Sequence, residues 1–268
     1  MLKINVMTFL QNNLQMIKNS LGILFLATIV SVFQACTGSS VTEDYEFDFG
    51  YEYFPLEIGK YQTYVVDSTL YDIGDNEIIL KRSSRTFVKH VIADTMTDNL
   101  GRSGFKVERY ERANDSLQWQ IKDIWFAIRT NEGAEWVEEN LRFLKMVFPL
   151  KDGVDWNGNK YIDITTIIPI EGESVEVFKS WSYEVLSVDE SEQIGDFMFD
   201  NVSTISQADS ENLIELRYSL EKYAKGIGRV YREMKILDTQ CIECNDIQTW
   251  EEKAEKGFIL TEQIIDWN

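Results

Sequence analysis

The residues best suited to chemistry in this 268-residue chain are three cysteines, one histidine and a large excess of acids. Cys241-Ile242-Glu243-Cys244 is a single C-x-x-C pair. In an oxidising compartment such a pair closes a local disulfide, and that is the expectation for Cys241 and Cys244. A redox-active pair would need a βαβ setting that the flanking sequence does not offer. A structural zinc would need about four ligands, and the chain has one histidine to give. No metal and no cofactor are therefore expected.

His90 falls in a predicted strand over Thr86–Ala93 and is expected at the surface or a sheet edge. Any Ser-His-Asp or Cys-His machinery would have to use it. No serine is framed by G-x-S-x-G, Gly101-Arg102-Ser103-Gly104 falls short of it, and H-E-x-x-H is absent. Ser219-Leu220-Glu221-Lys222 has S-x-x-K spacing but lies in an alternating strand without its S-D-N and K-T-G partners. Gly226-Ile227-Gly228 precedes a strand rather than a helix and reads as a bend or a close backbone approach. Asp152, Asp155, Asn157 and Asn159 make an oxygen-rich loop, but Gly158 is out of register for an EF-hand, so a hairpin turn is expected instead. Adjacent acids such as Glu138-Glu139 and Glu251-Glu252 are expected to be solvated, and no glycosidase pair stands out among them. No catalytic residue is singled out. Most tryptophans fall in apolar rows and read as core. Trp156, placed in a turn, is the one expected to be exposed and to contact a glycan.

These residues need a scaffold, and period-two alternation dominates the sequence. Phe105 and Val107 alternate with Lys106 and Glu108. Val175, Val177, Trp181, Tyr183 and Val185 share one phase, as do Ile214, Leu216, Tyr218 and Leu220. Such alternation puts the apolar row on a core and the polar row in water. A phase slip at Lys122-Asp123 predicts a β-bulge. Turns are marked by Asp75-Asn76, Asn131-Glu132-Gly133, Asp152-Gly153 and Asn157-Gly158-Asn159. Helix is sparse: Thr249 to Glu252 has capping-box spacing, and Gly257 is expected to close that short helix after Lys256. The expected fold is mainly β and antiparallel, a single curved sheet or half-barrel with little helix; a two-sheet β-sandwich is the alternative.

The N-terminus has its own logic. Leu21 to Phe33 is an uncharged apolar run of signal-peptide length, flanked by Lys18 and followed by Gln34-Ala35-Cys36. A small residue before a cysteine at the end of such a run resembles the lipobox of bacterial lipoproteins, with Phe33 in place of the usual aliphatic residue. The resemblance implies cleavage before Cys36 and lipidation of Cys36 by acyl chains such as palmitate, which anchor the chain stably to a membrane. Met16 would open a leader of more usual proportions than Met1. The expected organisation is a signal peptide at 1–35, a flexible tether at 36–50 and one β-rich domain at 51–268. The formal net charge is −19. The leader contributes Lys3 and Lys18 and no acid, so the mature body is more negative still. Such a body is repelled by nucleic acid, and no nucleic-acid partner is expected.

Three segments carry a further resemblance: Tyr53-Phe54-Pro55-Leu56-Glu57-Ile58-Gly59-Lys60-Tyr61, the stretch Glu139 to Leu150 running into Trp156-Asn157-Gly158-Asn159, and Tyr223-Ala224-Lys225-Gly226-Ile227-Gly228-Arg229-Val230-Tyr231. Together they resemble an uncharacterised family of Bacteroidota cell-envelope lipoproteins. The resemblance implies an outer-membrane lipoprotein, on the periplasmic or the surface face, and no particular activity. The expected role is a non-catalytic binding or accessory module with a hydrophobic or glycan ligand or an outer-membrane protein partner. The rival expectation is an envelope hydrolase acting on glycan or peptide through unidentified carboxylates.

Overall fold

The computed structural model describes residues 47–74, 78–244 and 247–268. The leader, Cys36, most of the tether and the Asp75-Asn76 turn lie outside the described residues. Asp48–Asn268 forms one unit. The first meander comprises β1 (Tyr61–Ile73), β2 (Ile79–Thr97), β3 (Ser103–Arg112), β4 (Gln120–Arg129), β5 (Gly133–Glu138) and β6 (Leu141–Val147). After the short β7 (Asp155–Trp156) comes a hairpin of β8 (Ile167–Ile170) and β9 (Glu173–Glu176). The second meander comprises β10 (Tyr183–Ile194), β11 (Phe197–Glu211), β12 (Glu215–Ala224), β13 (Gly228–Asp238) and β14 (Lys256–Trp267).

All but β8 and β9 belong to one 12-stranded antiparallel sheet in the order β6-β5-β4-β3-β2-β1-β14-β13-β12-β11-β10-β7. The two meanders join where β14 pairs with β1. The outer edges approach each other: the Leu144 N–H in β6 donates to Gly158 O at 2.8 Å, just past β7. The single curved sheet thus nearly closes on itself, and the sandwich alternative is set aside. Closing the edges in this way removes the exposed ladder groups that invite aggregation. The inside is filled rather than hollow. Tyr53, Phe54 and Leu56, which precede β1, pack into one cluster with inward residues of both meanders. The β8–β9 hairpin covers another stretch, where Val175 and Phe178 meet Phe143, Met234 and Ile236.

Local signals are mostly honoured. Arg109 pairs with Asp123 and Tyr110 with Ile121, so Lys122 is the extra residue of the expected bulge. The capping box of Thr249 and Glu252 is present on α1 (Trp250–Lys253). Gly257 does not close that helix, which ends at Ala254. It lies at the start of β14 with φ +113°, where a Cβ would come within 2.0 Å of Ile236 O, so the site needs glycine for close strand approach. The alternating run at 175–185 is not one strand. A turn at 177–180, with Ser180 at φ +60°, separates β9 from β10.

The largest departure concerns β12. Its polar row, Arg217, Ser219 and Glu221, faces the interior and is buried, while Leu216, Tyr218 and Leu220 are half-buried on the outward side. The inversion is permitted because partners for the buried polar groups converge from other strands, as the site geometry shows.

Candidate functional site

Glu221 is fully buried at the centre of the inner face. One of its oxygens accepts from Lys145 Nζ at 2.9 Å and from Arg229 Nη1 at 3.2 Å. The other accepts from Gln207 Nε2 and from the Tyr223 hydroxyl, both at 2.6 Å. Gln207 is fixed in turn by the Ser219 hydroxyl at 2.8 Å. Arg229 also donates to Glu262, and Arg232 donates to Glu138 at 3.3 Å. Burial alone would raise the Glu221 carboxyl. The charges of Lys145, Arg229 and Arg232 and the Tyr223 hydrogen bond outweigh it and hold the group below the usual carboxylate range. Glu138 is shifted the same way, burial opposing and Arg232 and Lys145 prevailing.

Bulges supply these donors. Lys145 is the extra residue between the pairs Ala134–Met146 and Glu135–Leu144. Gln207 is the extra residue between Ser206–Leu220 and Ala208–Ser219. A slip at Val230 lets Arg229 pair with Tyr223 and so joins the inward row. A bulge re-aims a side chain that strict alternation would send to solvent.

Next to this network, at one end of the sheet, lies a pocket. Its walls are Phe54, Pro55, Leu56 and Ile92, and its polar lining comes from Gln62, His90, Trp136, Lys145 and Arg229. It offers about 40 Å³ to the centres of water-sized molecules. That suits a few small groups and not a drug-sized ligand. His90 is not at an edge as expected. It is only 2% exposed, because β2 has pairing strands on both sides and His90 occupies its inward row. Its ring lies 5.4 Å from Tyr64, 5.0 Å from Trp125 and 5.9 Å from Trp136, centre to centre. Burial, then the positive charges of Arg229, Arg109 and Arg232, push the imidazole well below its ordinary value. Among the described residues, the buried His90 Nε2, Trp136 Nε1 and Arg229 Nε have no hydrogen-bond partner.

The other sequence candidates fall elsewhere. Trp156 is in β7, not a turn, and is half-buried; its indole N–H donates to Leu144 O at 2.8 Å, at the seam of the sheet. Cys241 and Cys244 are bridged across a short 3₁₀ turn, with Cα atoms 5.4 Å apart. Ser219 belongs to the buried network. The 152–159 loop follows turn chemistry: Asn157 caps the Asn159 N–H at 3.1 Å, and a Cβ on Gly158 would strike the Tyr183 ring. Gly226 and Gly228 both adopt positive φ at the β12–β13 turn. Among the described residues no three His, Cys, Asp or Glu side chains cluster as metal ligands. Sequence reading missed the pocket, because its lining comes from segments far apart in the chain: Phe54 to Leu56, Lys145, and Tyr223, Gly228 and Arg229 among them.

No known family matches the chain, and no curated protein matches it. Two crystal structures show a distant likeness. One is of a presumptive lipoprotein from Parabacteroides distasonis, 11% identical, covering 81% of this chain and 98% of its own with a TM-score of 0.35. The other is of a presumptive exported protein with a YmcC-like fold from Bacteroides fragilis, 12% identical, covering 80% and 98% with a TM-score of 0.33. Scores this low give the likeness no weight for fold or function.

Proposed function

We propose that the chain is a lipoprotein of the bacterial cell envelope, anchored to the outer membrane through acyl chains on Cys36, whose β body is a non-catalytic binding module. The anchor reading rests on the leader and its lipobox. The binding reading rests on one observation: three of the nine buried side-chain polar atoms that lack partners among the described residues, His90 Nε2, Trp136 Nε1 and Arg229 Nε, belong to the lining of one pocket, beside a network that leaves Glu138 Oε2 and Arg232 Nε unpartnered as well. Buried donors are costly to leave unpaired, so a pocket that keeps several of them fits a site completed by an incoming molecule. The rival hydrolase reading needs an acid held protonated near neutral pH. The interior acids Glu138 and Glu221 are shifted the opposite way. The small volume argues against a whole lipid or sugar inside the barrel.

Native mass spectrometry of the mature protein, purified without denaturation, tests this reading. A retained small molecule supports it. A mass accounted for by polypeptide, lipid and one disulfide, together with no change on incubation with envelope extract, would count against it.

A further inference from the structure

The chemistry of the lining says what the pocket takes, if the binding reading above is right. Two obligate donors, Trp136 Nε1 and Arg229 Nε, are buried there without acceptors, and His90 Nε2 is buried and unpartnered with them. A ligand must therefore bring acceptor oxygens. The lining includes the cations Lys145 and Arg229 and no carboxylate. Both cations are already paired outside the lining, Lys145 with Glu221 and Arg229 with Glu221 and Glu262, so what the pocket offers a guest is its unpartnered N–H groups and not net positive charge. Of the two acids that hold these cations, Glu221 already has both oxygens occupied by four donors, and Glu262 accepts from Arg229. The lining also includes the apolar side chains of Phe54, Pro55, Leu56 and Ile92. The space of about 40 Å³ limits the guest to a few heavy atoms.

We propose that this pocket binds a small monocarboxylate, or the carboxylate end of a short acyl group, with its oxygens on Trp136 Nε1 and Arg229 Nε beside His90 and its alkyl portion against Phe54, Leu56 and Ile92. A planar carboxylate can use two or three flat N–H donors at once. A phosphate carries more charge and more acceptor positions than these few donors could satisfy, and the apolar side chains offer it nothing.

Saturation-transfer NMR with sodium propionate on the natively purified, lipid-anchored protein tests the assignment, with sodium phosphate and sodium chloride as competitors. Propionate is expected to bind, and neither inorganic anion to displace it at equal concentration. Trp136→Phe removes one donor and should weaken binding about tenfold, the cost of one charge-assisted hydrogen bond. His90→Gln should weaken it less. No propionate signal, equal competition by phosphate or chloride, or undiminished binding in both variants would overturn the assignment. Should either variant misfold, a crystal structure of the unmutated protein grown with propionate decides: density for the carboxylate within hydrogen-bond reach of Trp136 Nε1 supports the proposal, and density elsewhere or none refutes it. Failure with propionate while native mass spectrometry still finds a retained molecule would refute the carboxylate and spare the binding reading. A protein that retains nothing and binds none of the probes would refute both.

Discussion

Lys145 of β6 and Glu221 of β12 form an ion pair at 2.9 Å with both side chains almost wholly buried, 3% and 0% exposed. They are 76 residues apart in sequence and face each other across the inside of a single sheet. Such a pair is weak evidence of stability, because desolvating two charges offsets most of their attraction. Breaking it is another matter. Lys145→Met strands the Glu221 charge with two arginines left to hold it, and should cost about 3–5 kcal/mol in urea unfolding. Adding Glu221→Gln to that variant should recover part of the loss, because the stranded charge is gone. A double variant as unstable as the sum of the two single ones would contradict the coupling.

His90 gives the stability an acid limb that begins earlier than carboxylates can explain. The folded imidazole is depressed below its unfolded value of 6.5. Above that pH neither state is protonated there, so the group contributes nothing. As pH falls through 6.5 the unfolded chain takes up a proton that the folded one refuses. Stability then drops by about 1.4 kcal/mol per pH unit until the buried ring itself protonates. The chain has no other histidine. His90→Gln should therefore flatten unfolding free energies between about pH 6.5 and 5 and leave the later loss, when Glu138 and Glu221 protonate, in place.

Gly257 should be irreplaceable where it stands. Its φ of +113° and the 2.0 Å approach of a built Cβ to Ile236 O penalise any side chain. Gly257→Ala should cost about 1–3 kcal/mol. Gly172, also at positive φ but with open space around it, should tolerate alanine better. Equal losses would show that backbone strain alone, and not the contact with β13, sets the cost.

The Cys241–Cys244 bridge closes a very short loop, so it removes little entropy from the unfolded chain. Replacing both cysteines by serine should cost no more than about 2 kcal/mol by chain-entropy reasoning. The pocket lies elsewhere, so propionate binding should be unaffected. A variant that fails to fold would give the bridge a larger role than its loop length allows.

Strand content and turn positions were legible in the sequence because alternation and Asn-Gly chemistry are local. The bulge at Lys122 was legible for the same reason: the apolar phase visibly slips there. The inward polar row of β12 was not. Arg217, Ser219 and Glu221 read as a solvated face, since nothing local shows that Lys145, Gln207 and Arg229 will be turned toward them by bulges in β6, β11 and β13. His90 misled in the same way. Its burial depends on β1 and β3 flanking β2 and on two tryptophans from β4 and β5, all of them pairings between strands. The pocket depends on three segments far apart in the chain, and only the closing of the sheet brings them together.

The central claim is that the unpartnered donors at the pocket belong to a ligand site. The indole N–H resonances report it most directly, compared between natively purified protein and the same protein refolded from denaturant in clean buffer. Trp136, assigned through Trp136→Phe, should shift between the two preparations and return on adding propionate. Trp156, whose N–H is held by Leu144 O, should not move. A Trp136 resonance identical in all three samples would contradict the account.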